Sequence, residues 1–289
     1  MILALVRSVR PKQWVKNAFV GAPLIFANRL LDPRSALRAA AAVAIFCLIS
    51  SAVYLWNDIA DVDKDRAHPK KRNRAIASGE LPIDVARGFA GVFAALGLAL
   101  GTWLGWGFVA VATTYLIQNV LYSRTLKHVA YVDVLVISAG FLLRVGAGAL
   151  AIGVHASPWI FLCTGLLAAF NGFGKRVHEM QSETGAASRA VLESYHPGQL
   201  KAALYVTGVA TVASFLCYTL ADPHPALFST RKLLWTMPLI VVGVGRFMHL
   251  VSSRPHAESP TEEMMRDPLF VGTVAVWATA VVGIIYFAR

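Results

Sequence analysis

Acidic side chains are scarce in this chain: sixteen Asp and Glu stand against twenty-seven Lys and Arg, and charged residues of every kind make up only 15% of 289. With 56% hydrophobic residues and a mean hydropathy of +0.57, that scarcity excludes an ordinary soluble domain. Cysteine is nearly absent too. Cys47, Cys163 and Cys217 all fall inside apolar runs, so no metal or redox spacing exists. Long polar tracts are missing: the longest, about 175–199, is too short to build a core of its own. A single membrane domain over 1–289 is expected, without repeats or low-complexity segments. The net charge of +11 is spread over loops with no nucleic-acid-binding module, which leaves anionic lipid headgroups and phosphorylated substrates as the partners it fits.

What is present is a series of apolar runs near the roughly 20 residues that cross a bilayer. The expectation is an all-α polytopic protein with about nine spans around a central cavity, at 18–31, 37–58, 83–104, 106–123, 131–152, 158–174, 200–221, 232–252 and 269–288. The first dozen residues are interrupted by Arg7 and Arg10 and do not read as a cleavable signal. Basic residues orient the spans. Arg7, Arg10, Lys12, Lys16, the 64–87 group, Arg124, Lys127, Lys175, Arg176, Arg189, Lys201, Arg254 and Arg266 collect on one side, against Arg29, Arg34, Arg38, Arg231, Lys232 and Arg289 on the other. The N-terminus is thus expected inside, in a bacterial-type inner membrane, and the C-terminus outside.

Against this background the segment NDIADVDKD, Asn57 to Asp65, needs a chemical reason. At about 100° per residue, Asn57, Asp58, Asp61 and Asp65 share roughly a third of a helix circumference and Asp63 points elsewhere. Oxygen-only ligands with open positions suit Mg²⁺, with Mn²⁺ as a substitute, completed by water and substrate phosphates. A solvated helix end is the plainer reading. A calcium loop fails, because Arg66 stands where its Gly belongs and Arg72 where its Glu belongs. Directly afterwards come Arg66, Lys70, Lys71, Arg72 and Arg74, which Pro69 removes from the helix. Acid followed by base fits a metal-bound polyphosphate, although a basic loop beside a span also serves topology alone.

Three further clusters fall on the same side. Lys12 and Lys16 sit four apart on an expected interfacial helix, with Trp14 as a headgroup-level anchor. Tyr122, Arg124, Lys127, Tyr131 and Asp133 crowd a short loop. Lys175 and Arg176 precede Glu179 and Glu183, and Arg176, Glu179 and Glu183 recur at helical spacing. Lys12 and Lys16 alone read equally as membrane anchoring, and the 122–133 loop, too polar for a mere turn, reads as a phosphate contact; the coincidence of all four clusters on one side favours an active site.

Together RPKQWVKN, NDIADVDKD, HPKKRNRAIASG at 68–79, YSRTLKHVAYVDV at 122–134, GFLLRVGAGALAIG at 140–153 and NGFGKRVHE at 171–179 resemble the UbiA-type intramembrane prenyltransferase superfamily, over essentially the whole chain. Within it the resemblance is to the branch that serves arabinan-precursor synthesis by moving phosphoribosyl groups. It implies a Mg²⁺ motif on Asn57, Asp58, Asp61 and Asp65, with Tyr54 one turn deeper. Aromatic prenyltransferases carry a second Asp-rich motif after the sixth helix, whereas here GKRVHEMQSE offers Lys175 and Arg176. That exchange suits a donor with an extra 5-phosphate. One departure is Ala75 after Arg74, where the branch has Pro, which bears on the rigidity of that loop.

The implied reaction joins 5-phosphoribosyl 1-diphosphate and a polyprenyl phosphate. Asp58, Asp61 and Lys127 are the expected catalytic groups. Lys12, Lys16, Tyr54, Lys70, Arg72, Arg74, Tyr122, Arg124, Lys127, Lys175 and Arg176 are the expected substrate contacts. No protein nucleophile or strong base is required, because a phosphate monoester is already anionic, and the task becomes positioning two anions. Membrane lipids are further partners, nucleic acid is not, and the sequence leaves room for a homo-oligomer. A prenyl transfer to an aromatic or other acceptor stays open. A transporter is less favoured, since Arg144 and Arg246 are the deep ionisable residues, and Arg144 reads as a hydrogen-bond hub or an anion ligand.

Overall fold

A computed structural model describes residues 1–181, 190–221, 230–253 and 260–287, and every regular element among them is helical. Glu183, Arg189, Arg254, Arg289 and residues 222–229 lie outside the described residues. The α-helices are α1 (Ile2–Ser8), α2 (Ala18–Phe26), α3 (Pro33–Ala60), α4 (Val62–Ala67), α5 (Ile83–Gly101), α6 (Trp106–Arg124), α7 (Val132–Ile152), α8 (Pro158–Gln181), α9 (Pro197–Ala221), α10 (Met237–Ser253), α11 (Pro260–Arg266) and α12 (Pro268–Phe287). Among the described residues, six stretches are long and apolar enough to cross a membrane: α3, α5, α7, α9, Thr230–Ser253 and α12. The protein is an integral membrane protein.

Each expected span coincides with a helix, but the count of nine is not reached by length and apolarity. The first expected span, 18–31, shortens to the nine residues of α2, because the chain turns at Asn28, whose φ is 55°. The helix expected over 158–174 continues to Gln181 and carries Lys175, Arg176 and Glu179 with it. A second correction concerns Lys12 and Lys16. Pro11–Asn17 forms a 3-10 helix, in which positions four apart diverge by about 120° instead of sharing a face. Lys12 is accordingly exposed and Lys16 half-buried.

The chain divides into two compact units, one of Met1–Lys127 with Gly140–Ala156, the other of His128–Ala139 with Ser157–Arg289. In the first, α3 is the organising element. Asp32 caps it by accepting from the backbone N–H of Ser35 at 3.1 Å, and Pro33 occupies the first turn where no donor is missed. Phe46 of α3 meets Phe108 and Tyr115 of α6 at ring distances of 5.8 and 5.5 Å, in a core that includes Ile45, Ile49 and Val53. Helices in lipid associate through close packing more than through apolar burial. Gly148 of α7 shows how close: a Cβ there would stand 1.8 Å from the carbonyl oxygen of Val20 in α2.

The second unit packs α8 against α9 and α10. Phe170 and Phe247 meet at 4.8 Å, and the small residues Gly174 and Gly208 admit Phe247, Met248 and Phe170 into space that a side chain would fill. Val134, Phe173, Val177, Tyr195 and Leu200 continue that core.

Candidate functional site

The acidic face forms at the C-terminal end of α3. Helix α3 stops at Ala60 and α4 begins at Val62, yet the backbone bonds from Asp61 to Asn57 at 3.0 Å and from Asp65 to Asp61 at 2.8 Å preserve the helical course across the joint. Asp58 and Asp65 are therefore brought to one side and buried, while Asp63 is exposed and faces Arg66 at 3.6 Å. The expected division of the segment into a face and an outlier is what the structure has.

Cations hold every carboxylate of that face. Arg74 reaches Asp65 at 2.7 Å and Asp58 at 3.2 Å, Arg10 also donates to Asp58, and Lys127 reaches Asp61 at 2.5 Å. Asn57 accepts from the hydroxyl of Ser123. Arg10 was not among the residues singled out for a site. Its φ of 52° is a left-handed conformation that costs a side-chain-bearing residue about 1–2 kcal/mol, and it is held there by Asp58 and by stacking 5.5 Å above the Tyr54 ring. Tyr54 thus lines the site through Arg10.

The basic loop after Pro69 is fixed without proline at position 75. Ala75, Ile76 and Leu81 are buried against Leu55 and Ala86, Ser78 donates to Arg74 at 2.8 Å, and Leu81 to Ala75 at 2.8 Å. Gly79, at φ 85°, makes the turn that an L side chain resists. His68 accepts from the backbone N–H groups of Lys70 and Lys71 at 3.2 and 3.3 Å. Burial first, then Lys71, holds its imidazole below its ordinary range, in keeping with a neutral acceptor. Arg74 points into the site, whereas Lys70 and Arg72 are exposed on the loop. Arg124 stacks 5.9 Å from Trp56, and Tyr122 is half-buried. An apolar cavity of about 340 Å³ between α3, α5 and α6 has Asn57 in its wall, along with Val53, Trp56, Ala90 and Leu116.

Among the described residues, no three Asp, Glu, His or Cys side chains converge closely enough to hold a metal ion. The donor chemistry nevertheless suits a hard divalent cation, with an amide oxygen and three of the segment's four carboxylates, Asp58, Asp61 and Asp65, apart from the exposed Asp63. In this conformation Arg10, Arg74 and Lys127 balance those carboxylates.

Arg144 is a hub, as one of its two expected roles. It donates to Asn17 at 3.0 Å, to the carbonyl of Gly140 at 3.0 Å and to Tyr115 at 2.8 Å, and lies over the Tyr115 ring. Arg246 is paired with Asp267 at 2.6 Å.

In the second unit Arg176 is buried, 1% exposed, and bonds Asp133 at 2.6 Å and Glu179 at 2.5 Å. Tyr195 donates its hydroxyl to Asp133 and accepts from the N–H of Tyr131 at 2.8 Å. Burial and the bond to Asp133 raise its phenol above the usual range. Lys175 is the more accessible cation here, 3.9 Å from Glu179. Asp133 and Tyr195 emerge as structural partners that spacing did not connect.

The charged end of α3 gathers three carboxylates and three cations at the end of a membrane-spanning helix. Residues 18–274 match the UbiA prenyltransferase family, and the chain belongs to that family. It is similar to a decaprenyl-phosphate phosphoribosyltransferase from Corynebacterium glutamicum, 33% identical over 98% of this chain and 86% of the relative. The protein of that name from Mycolicibacterium smegmatis is 36% identical over 76% of this chain and 70% of its own. Among solved structures, a UbiA homolog from Archaeoglobus fulgidus bound to GPP and Mg²⁺ superposes with a TM-score of 0.74 at 18% identity, covering 99% of this chain and 100% of that one.

Proposed function

We propose that the protein transfers a 5-phosphoribosyl group from 5-phosphoribosyl 1-diphosphate to a polyprenyl phosphate and releases diphosphate. The observation that carries this reading is the identity, 33% over 98% of the chain, with a relative named for that transfer. The end of α3 supports it. Asn57, Asp58, Asp61 and Asp65 would hold Mg²⁺, or Mn²⁺ in its place, and the bound ion would supply charge neutralisation of the donor's diphosphate. Arg10, Arg74 and Lys127 stabilise the charge that grows on the leaving diphosphate as the C1–O bond breaks. The lipid phosphate then forms the new bond to C1. Lys12, Lys16, Lys70, Arg72, Arg124 and Lys175 serve as anion contacts, with Tyr122 two residues from Arg124. Arg176 contributes by placing Glu179 and Asp133. The apolar cavity beside Asn57 offers a prenyl chain a place next to the reacting groups.

The same reading takes 1–289 as one functional domain, since the family match runs through both compact units. Helices α6 and α8, at 19 and 24 residues, span about 28 and 36 Å, and the 3-10 helix Pro11–Asn17 followed by α2, about 14 Å each, would together complete the crossings. The excess of Lys and Arg puts Met1 and the 64–80 loop on the cytoplasmic side of the inner membrane.

A second reading, prenyl transfer to an aromatic or other acceptor, draws on the prenyl diphosphate in the similar solved structure. Purified protein offered labelled phosphoribosyl diphosphate with polyprenyl phosphate, or labelled prenyl diphosphate with an aromatic acid, separates the two. Label from the sugar donor alone should enter the lipid fraction. Incorporation of the prenyl label, with the sugar donor ignored, would replace this proposal with the second.

A further inference from the structure

At the N-terminal end of α3, a pocket of about 400 Å³ is lined by Arg29, Arg34, Arg38, Asp32 and Ser35, and by Leu150, Ile152, Gly153 and Val154 at and just after the end of α7. None of these takes part in the acidic site. Helix α3 has 28 residues and is about 42 Å long, so the pocket and Asp58 belong to opposite faces of a bilayer whose hydrocarbon is about 30 Å thick.

Arg38 builds the pocket. Its Nε donates to the carbonyl of Ala151 at 2.6 Å, its Nη2 donates to that of Leu104 at 2.8 Å, and its guanidinium stacks 5.3 Å over Trp103. It thereby ties the ends of α3, α5 and α7 together. The carboxylate of Asp32 is engaged by the backbone N–H and hydroxyl of Ser35, which keep it ionised. Arg29 and Arg34 are exposed, and neither makes a side-chain hydrogen bond or a salt bridge among the described residues. Three guanidinium groups therefore face one carboxylate, whose Oδ2 Ser35 engages and on which the charge of Arg29 also acts, and two of the three have donors to give.

The surroundings say where the anion comes from. Trp103 and Trp106 are 55% and 79% exposed, and Leu31 and Leu37 are 72% and 63% exposed. Indole rings beside exposed leucines mark the headgroup level of a bilayer, and guanidinium forks bind phosphate oxygens there. We propose that this pocket binds the phosphate of an anionic lipid headgroup in the leaflet opposite the acidic face.

The test uses native mass spectrometry of the full-length protein released from nanodiscs of phosphatidylglycerol and phosphatidylcholine. Phosphatidylglycerol should be retained in preference, and Arg29→Gln combined with Arg34→Gln should reduce its retention about tenfold. Both side chains are exposed, so an unchanged thermal unfolding midpoint should accompany the loss. A double substitution that removes equal charge elsewhere, Lys64→Gln with Lys201→Gln, should leave retention within about twofold. Inorganic phosphate at millimolar concentration should not displace the lipid. Retention unchanged in the Arg29/Arg34 variant, an equal loss in the Lys64/Lys201 variant, or equal retention of phosphatidylcholine would overturn the proposal. Displacement by free phosphate would overturn its lipid assignment in favour of a soluble anion.

Discussion

Two ion-pair clusters, similar in composition, are built for opposite purposes. In the second unit Arg176 and Asp133 are 1% and 0% exposed as side chains, sealed with Tyr195. At the end of α3, Arg10 and Arg74 remain 31% and 32% exposed while Asp58 beneath them is buried. A sealed pair has no route for exchange, and losing one partner leaves a bare charge in a poorly solvated place. A half-open pair can surrender its cation to an incoming anion. On the function proposed above, the first cluster serves architecture and the second receives ligands.

Substitution should separate them most sharply at Asp61 and Asp58. Asp61→Asn or Asp58→Asn should reduce transfer roughly a thousandfold, as expected when several kcal/mol of charge stabilisation is removed, while the protein still purifies as a folded species. A folded Asp61→Asn with near-normal turnover would break the comparison at its functional end. At the structural end, Asp133→Asn should cost about 1.5–3 kcal/mol of stability by taking from the buried Arg176 one of its two carboxylates, read as a lowered thermal unfolding midpoint in detergent. A stable Asp133→Asn protein with impaired donor binding would show the sealed pair to be a ligand site after all.

Smaller effects sharpen the picture. Lys175 is partly exposed and lies on the same helix as the buried Arg176. Its replacement by Gln should raise the apparent KM for phosphoribosyl diphosphate about three- to tenfold, from a charge-assisted contact weakened by solvent, with kcat little changed. Smallest of all, Asp63→Asn should change neither activity nor stability beyond about 0.5 kcal/mol, because its side chain is exposed. A loss comparable to that of Asp61→Asn would mean that the acidic segment acts as a loop and not as a helical face.

The acidic face was legible because it is local. Residues 57 to 65 keep helical backbone bonds, so a 100° rotation per residue suffices to separate Asp63 from Asp58 and Asp65. Its partners were not legible by the same means. Arg10 is 48 positions from Asp58, Ser123 and Lys127 are each 66 from their acceptors, and Tyr195 is 62 from Asp133. Periodicity describes neighbours on one helix and says nothing about what tertiary packing delivers from elsewhere. Arg10 did carry a signal, as the first residue of the RPKQWVKN motif. That Lys12 and Lys16 do not share one helical face has a local reason, since the segment after Pro11 winds as a 3-10 helix. The helices themselves were recovered from their apolar runs, with ends moved by turns such as the one at Asn28.

The central claim is that the half-open cluster receives a metal-bound diphosphate. Equilibrium binding of labelled phosphoribosyl diphosphate to the purified protein, with and without Mg²⁺, tests it without depending on turnover. The account predicts binding that requires the metal and is lost in Asp61→Asn but kept in Asp63→Asn. Equal binding in excess chelator, or undiminished metal-dependent binding by folded Asp61→Asn, would contradict it.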